Sequence, residues 1–191
     1  MMAEDWPDWR SMNAEYNHRP EFAVMGELNT RLATKGVMAT RPTGDMARYT
    51  PQDLYLYTFD PRSLTHGMEI CRIDVERKAN NSFAEYPNPP KGWHSWSFLA
   101  RKVNKESNRE RDVYVLVDRE VSDKIFWITF GAIRAGCNFV AKVDTWGVKD
   151  RFYRCPVDVP IAVQRGYDSL CGYITGLRDG RADLSAFGVA M

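Results

Sequence analysis

The sequence predicts a domain of α/β (α+β) class. Three observations point there: a helical apolar stripe between residues 20 and 35, several extended segments with strand-like patterning, and no internal repeat that would make a solenoid. At 191 residues the chain suits one domain with a real core. Residues 20–191 read as that domain, with its core over about 20–160 and an irregular C-terminal segment. Residues 1–19 read as an N-terminal arm.

Charge and composition narrow the function classes. The net charge is only +1, so nothing in the overall balance argues for nucleic acid, and any such binding must come from a local patch. The opening MMAEDWPDWR is acidic and aromatic, unlike a signal peptide. No apolar run approaches the roughly 18 residues that would span a bilayer. A soluble, intracellular (cytoplasmic) protein with no membrane partner is the expectation. Cys71, Cys137, Cys155 and Cys171 form no CxxC and no regular spacing, which suggests neither a zinc site nor a disulfide framework. His18, His66 and His94 are scattered and share no metal-ligand spacing.

Along the chain, the arm is polar with Trp6, Trp9 and Tyr16 interspersed, and Pro7 suits the first turn of a short helix. A full helix follows from about Pro20 to Lys35. Phe22, Met25, Leu28 and Leu32 form its stripe, and Gly36 suits the left-handed position that closes a helix. Glu27 falls nearly opposite that stripe, on a face that solvent would take. Val37–Thr40 reads as a short strand before a Pro-Thr-Gly-Asp turn. Gln52–Phe59, rich in aromatics, reads as a longer one, broken by Asp60-Pro-Arg-Ser and His66-Gly.

The segment Met68–Lys78 carries the chemistry. Its period is two: Asp74, Glu76 and Lys78 share one face, while Cys71, Ile73 and Val75 lie on the other. Two carboxylates and a lysine beside a buried row are costly unless solvent, a metal ion or a partner meets them. The strand is therefore either the floor of a metal-dependent site or an edge strand wearing charge against aggregation. With a loop over about 61–68, it forms an antiparallel hairpin with the preceding strand, and Asp53 faces Glu76.

After Lys78 comes an irregular stretch with Pro87, Pro89, Pro90 and Gly92. A helix is expected from about Ser95, with Phe98, Leu99, Lys102 and Val103 at helical spacing and Arg101, Lys102 and Lys105 as its basic side. That side suits phosphate neutralisation or plain solvent. Trp93, His94 and Trp96 suit stacking on unpaired bases or core packing. Asp112–Val117 and Ile125–Phe130 read as buried strands and Phe139–Val143 as a weaker one, while the glycine-rich end from Gly172 reads as irregular.

The order of helix, strand, hairpin with an acidic pair, basic helix and strand resembles the PD-(D/E)xK nuclease superfamily. The matching residues are Gly26-Glu-Leu28 with Leu32 and Lys35-Gly36, then Pro51-Gln-Asp53, then Asp74-Val-Glu-Arg-Lys78, over about residues 20–120. The resemblance implies a central mixed β-sheet flanked by helices, a restriction-endonuclease-like core, and a Mg²⁺-dependent (or Mn²⁺-dependent) DNA endonuclease acting on branched or duplex DNA, with a homodimer allowed. Carried over by position, Asp53 and Glu76 would be metal-binding carboxylates, Lys78 would orient the attacking water, and Glu27 would be the helix glutamate that some members add. Arg77 stands where members typically place a hydrophobic residue. The shifted register Asp74-Val-Glu76 restores the apolar middle and puts glutamate at the lysine position, so Asp74 rivals Glu76 as a metal ligand. The alternative is a non-catalytic nucleic-acid-binding or assembly module on the same fold.

Overall fold

The computed structural model describes residues 9–42, 53–60, 62–77, 95–104, 109–117, 124–143, 149–156 and 163–181. Helix α1, Trp9–Leu32, continues through Pro20 and ends in a 3₁₀ turn, Ala33–Lys35. Gly36 closes it with φ at 69°, the left-handed geometry expected of glycine there. The expected helix start at Pro20 is thus its middle. The buried stripe also differs: Val24, Leu28 and Leu32 are within 1% of full burial, whereas Phe22 is 52% exposed.

Beyond α1, strands β1 (Val37–Thr40), β2 (Leu54–Asp60), β3 (Thr65–Arg77), β5 (Val113–Val117), β6 (Ile125–Thr129) and β9 (Gln164–Arg165) build one six-stranded sheet, in the order β1-β2-β3-β5-β6-β9. β3 and β5 run parallel and every other pairing is antiparallel, so the sheet is mixed. A second sheet of three antiparallel strands has the order β4 (Ser95–Leu99), β8 (Lys149–Pro156) and β7 (Asn138–Val143). Two short helices, α2 (Ala100–Val103) and α3 (Phe130–Gly136), follow β4 and β6, and α4 (Gly166–Arg178) follows β9.

Alternation along the strands gives the large sheet two apolar faces. On the first, Leu54, Leu56, Ile73, Val75, Val113 and Val115 pack with the α1 stripe and with Leu170 and Ile174 of α4. On the second, Tyr114, Leu116, Phe126 and Ile128 pack with Trp96, Phe98 and Val103 of β4 and α2. At the start of β5, Asp112 is fully buried and accepts from the N–H groups of Arg72 and Arg109, each at 2.9 Å, which fastens β3 to its parallel neighbour. No helix among the described residues is long and apolar enough to cross a membrane.

Two expected elements take other forms. Ser95–Leu99 is a strand, because Trp96 and Phe98 alternate inward while Ser95, Ser97 and Leu99 do not; the helix is only the single turn Ala100–Val103. The region expected to be irregular from Gly172 is the second half of α4. Tyr167, Leu170, Cys171, Tyr173 and Ile174 repeat at three and four residues, a stripe that the glycines mask.

The hairpin forms as expected, but its register does not. β3 begins at Thr65, so the loop spans 61–64 rather than 61–68. Gly67, which reads as a loop breaker, lies inside the strand. A Cβ there would meet the Thr58 hydroxyl at 2.3 Å, and that hydroxyl accepts from the Met68 N–H at 2.9 Å. Glycine inside a strand marks such a close approach. Two register shifts, between Leu56 and Tyr57 and between Tyr57 and Phe59, each add one residue to β3. They recover half of the offset that the shorter loop introduces. Leu54 then pairs with Ile73, and Asp53 comes level with Asp74 instead of Glu76.

The C-terminal helix offers a direct check on this architecture. Leu170→Ala removes a fully buried side chain and is expected to cost about 2–5 kcal/mol in urea unfolding. Gly172→Ala, exposed in mid-helix with nothing near its Cβ position, is expected to gain up to about 1 kcal/mol. A segment that carried no helix would show neither effect.

Candidate active site

The turn of chain before β2, the middle of β3, α1 and α2 bring their polar side chains together beside the sheet. Asp53 is fixed first: its N–H donates to the Ile73 carbonyl at 3.1 Å, and its Oδ2 accepts from the Val75 N–H at 2.7 Å. Asp74 stands next to it on β3, 1% exposed. From α2, the Lys102 ammonium donates to Asp74 Oδ1 at 2.5 Å and to the Val75 carbonyl at 3.3 Å, and lies 3.8 Å from Asp53 Oδ2. The other oxygen of Asp74, Oδ2, is buried and has no hydrogen-bond donor on it among the described residues.

Glu21 of α1 enters from the other side. It sits on the core-facing stripe, three residues before Val24 and seven before Leu28, so the same helical face that buries those side chains buries this carboxyl. Arg41 pairs with it at 2.9 Å. One strand position beyond Asp74 on the same face, Glu76 accepts a hydrogen bond from the hydroxyl of fully buried Tyr114.

Electrostatics follow from this crowding. Burial pushes the Asp74 carboxyl up to about 7; Lys102 opposes that rise and Asp53 adds to it. The Glu21 carboxyl also rises to about 7, through burial and then Asp53, with Arg41 pulling the other way. Burial works against the Lys102 charge, yet Asp74, Asp53 and Glu76 together hold its pKa above the usual lysine range. The Tyr114 hydroxyl is raised well above its ordinary value by burial and by the neighbouring Glu76 and Asp74, so it stays a donor. Among the described residues the cluster holds four carboxyl groups, Glu21, Asp53, Asp74 and Glu76, against the two cations Lys102 and Arg41.

The expected site residues therefore separate. Asp53 and Asp74 are adjacent, and Glu76 lies alongside rather than opposite Asp53. Lys102 and Arg101 part company: Lys102 turns inward onto the carboxylates, whereas Arg101 is exposed. Lys78 and Lys105 lie outside the described residues, as do Trp93 and His94. Trp96 is core, 3% exposed with its ring centroid 5.0 Å from that of Phe126. Glu27 is six residues past Glu21, hence about 120° around the helix, where it pairs with Arg31 at 3.1 Å.

Glu21 is the residue that sequence reasoning passed over. Its signal was a carboxylate on the apolar stripe, hidden because the stripe was centred on Phe22 and Met25 instead of Val24 and Leu28. Among the described residues, no three His, Cys, Asp or Glu side chains are arranged as a metal-ligand set. The donor chemistry nonetheless fits a hard divalent ion. Asp53 and Asp74 offer oxygen only, one Asp74 oxygen is left over, and Mg²⁺ commonly takes one or two carboxylates and completes its shell with water and substrate phosphate. No family model, no curated protein and no solved structure matches the chain.

Because the Glu21 and Asp74 pKa values are raised, the folded state holds protons that the unfolded chain has already released. Stability from these groups is present in acid and falls as pH rises between roughly 4 and 7. Glu21→Gln removes one such group. In buffer containing a chelator, its melting temperature relative to the parent is expected to rise between about pH 4.5 and about pH 8. A difference that stays constant or falls over that range would contradict the coupling.

Proposed function

We propose that the chain is a divalent-metal-dependent phosphodiesterase acting on DNA, an endonuclease with a PD-(D/E)xK-type, restriction-endonuclease-like core. The observation that carries this reading is the trio of Asp53, Asp74 and Lys102, with the ammonium 2.5 and 3.8 Å from the two carboxylates. The resemblance anticipates two carboxylates and a lysine at one point of a hairpin. Here the carboxylates follow the Asp74-Val-Glu76 register, and the lysine arrives from α2. Glu21 takes the place in α1 for which Glu27 was the sequence candidate.

Asp53 and Asp74 would hold Mg²⁺ or Mn²⁺. When bound, the ion supplies the Lewis acidity that makes water a competent nucleophile and offsets charge at phosphorus. The chain's own groups do the rest. Lys102 opposes the effect of burial on Asp74 and places positive charge beside the carboxylates, where an incoming phosphate oxygen would meet it. Glu21, with its pKa raised to about 7, can accept and release a proton near neutrality. Tyr114 fixes Glu76, and Arg41 orients Glu21.

A second reading keeps the fold without the chemistry: a nucleic-acid-binding or assembly module whose acidic cluster is met by Lys102, Arg41 and solvent. The net charge of +1 favours it. Incubation with duplex, branched and single-stranded DNA separates the two. The first reading expects cleavage that requires Mg²⁺ or Mn²⁺, with Asp53→Asn losing roughly 10²-fold or more in rate while its circular dichroism is unchanged. Cleavage by Asp53→Asn at the parental rate, or no cleavage of any substrate by the parent, favours the module.

A further inference from the structure

The strand that begins beside Asp53 carries a row of rings on the same face. Tyr55, Tyr57 and Phe59 follow Asp53 at the two-residue spacing of one strand face, while Leu54 and Leu56 between them are fully buried on the other. The Tyr55 and Tyr57 rings are 6.5 Å apart and within 15° of parallel. His66 of β3 meets the edges of the row, 5.7 Å from Tyr57 and 5.8 Å from Phe59. The Arg72 guanidinium lies 5.3 Å from the Tyr55 centroid.

The burial of this row is uneven along the sheet. Tyr114 and Phe126, aromatic residues on the same face farther across, are sealed beneath β4 and α2 at full burial. Tyr55, Tyr57 and Phe59 are each only partly buried. A stripe of half-open rings, two of them near-parallel, with a guanidinium at its flank is the chemistry that stacks planar bases. Bases inside a duplex are already stacked on one another, so such a platform selects unpaired ones.

We infer that the β2 stripe, with Tyr55 and Tyr57 at its centre, binds unpaired nucleotides of a single-stranded or branched nucleic acid and leads the strand to the Asp53–Asp74 pocket. This rests on the phosphodiesterase reading for the identity of the ligand and deepens it, since it makes Tyr55 and Tyr57 determinants of substrate class. Arg72, held by Glu69 at 2.9 Å, puts a positive charge beside the Tyr55 ring, where the phosphate backbone of a stacked strand would meet it.

Fluorescence anisotropy of a short labelled oligothymidylate, in chelator so that no cleavage occurs, tests the assignment on the full chain. A blunt duplex of the same length is the comparison. Tyr55→Leu and Tyr57→Leu are each expected to weaken single-strand binding by roughly 5- to 150-fold, the worth of one base–ring stack. Tyr57→Phe, which keeps the ring, is expected to bind within about twofold of the parent, and duplex binding is expected to change little. The measurement is made well below the melting temperature of each variant, since the rings also pack across the hairpin. Leucine variants that remain folded and bind the oligothymidylate like the parent overturn the inference, as does an equal loss of duplex binding. Ring-dependent binding by a parent that cuts no DNA upholds the stripe and removes the nuclease reading. Metal-dependent cleavage with ring-independent binding does the reverse.

Discussion

Asp74 sits at the parallel junction of β3 and β5 with 1% exposure, and an ionised carboxylate at that depth needs a positive partner. Lys102 is that partner, and the rest of the pocket is arranged around the pair. Removing one member of a buried ion pair typically costs about 3–5 kcal/mol, whereas the intact pair contributes little net stability. The pair therefore constrains more than it stabilises. It draws α2 down onto the second face of the sheet, and with it β4 and the smaller sheet that β4 joins. A chain selected only for stability would do as well with an apolar pair here, which is why the charge points to function.

The partners of Asp74 are set by backbone features far from it in sequence. Asp53 reaches it because the hairpin loop is short and β3 carries two extra residues against β2. With the short loop alone Asp53 would come level with Arg72, and with the two extra residues alone it would come level with position 78. Gly67 permits the irregularity between Tyr57 and Phe59, since any side chain there would collide with Thr58. Glu21 reaches the cluster because the α1 stripe runs through position 21, so one turn of the helix spends a core position on a carboxylate. Glu21, Asp53, Asp74, Lys102 and Arg41, each from a separate segment, thus meet where no local pattern would have assembled them.

What was legible in the sequence divides along the same line. Short apolar runs with β-branched and aromatic residues, such as Val113–Val117 and Ile125–Thr129, declared themselves as buried strands, and the mixed sheet flanked by helices was what the resemblance implied. The hairpin was also legible. Register was not, because a bulge is a property of two strands in contact and Gly67 looks the same in a loop or in a strand. Lys102 was visible as a basic residue, but its direction was not: a one-turn helix has no inner and outer face until it docks. α4 was obscured by Gly172 and Gly176, which lower helix propensity but are outweighed by the burial of Leu170, Tyr173 and Ile174.

The proposal that Asp53 and Asp74 grip a single divalent cation is tested most directly by a crystal soaked in Mn²⁺ and measured for anomalous scattering. The account predicts a peak lying about 2.0–2.3 Å from an oxygen of each aspartate, with the Lys102 ammonium displaced from Asp74 Oδ1 or turned toward solvent. A pocket that stays metal-free at saturating Mn²⁺, with Lys102 still bonded to Asp74, would contradict it.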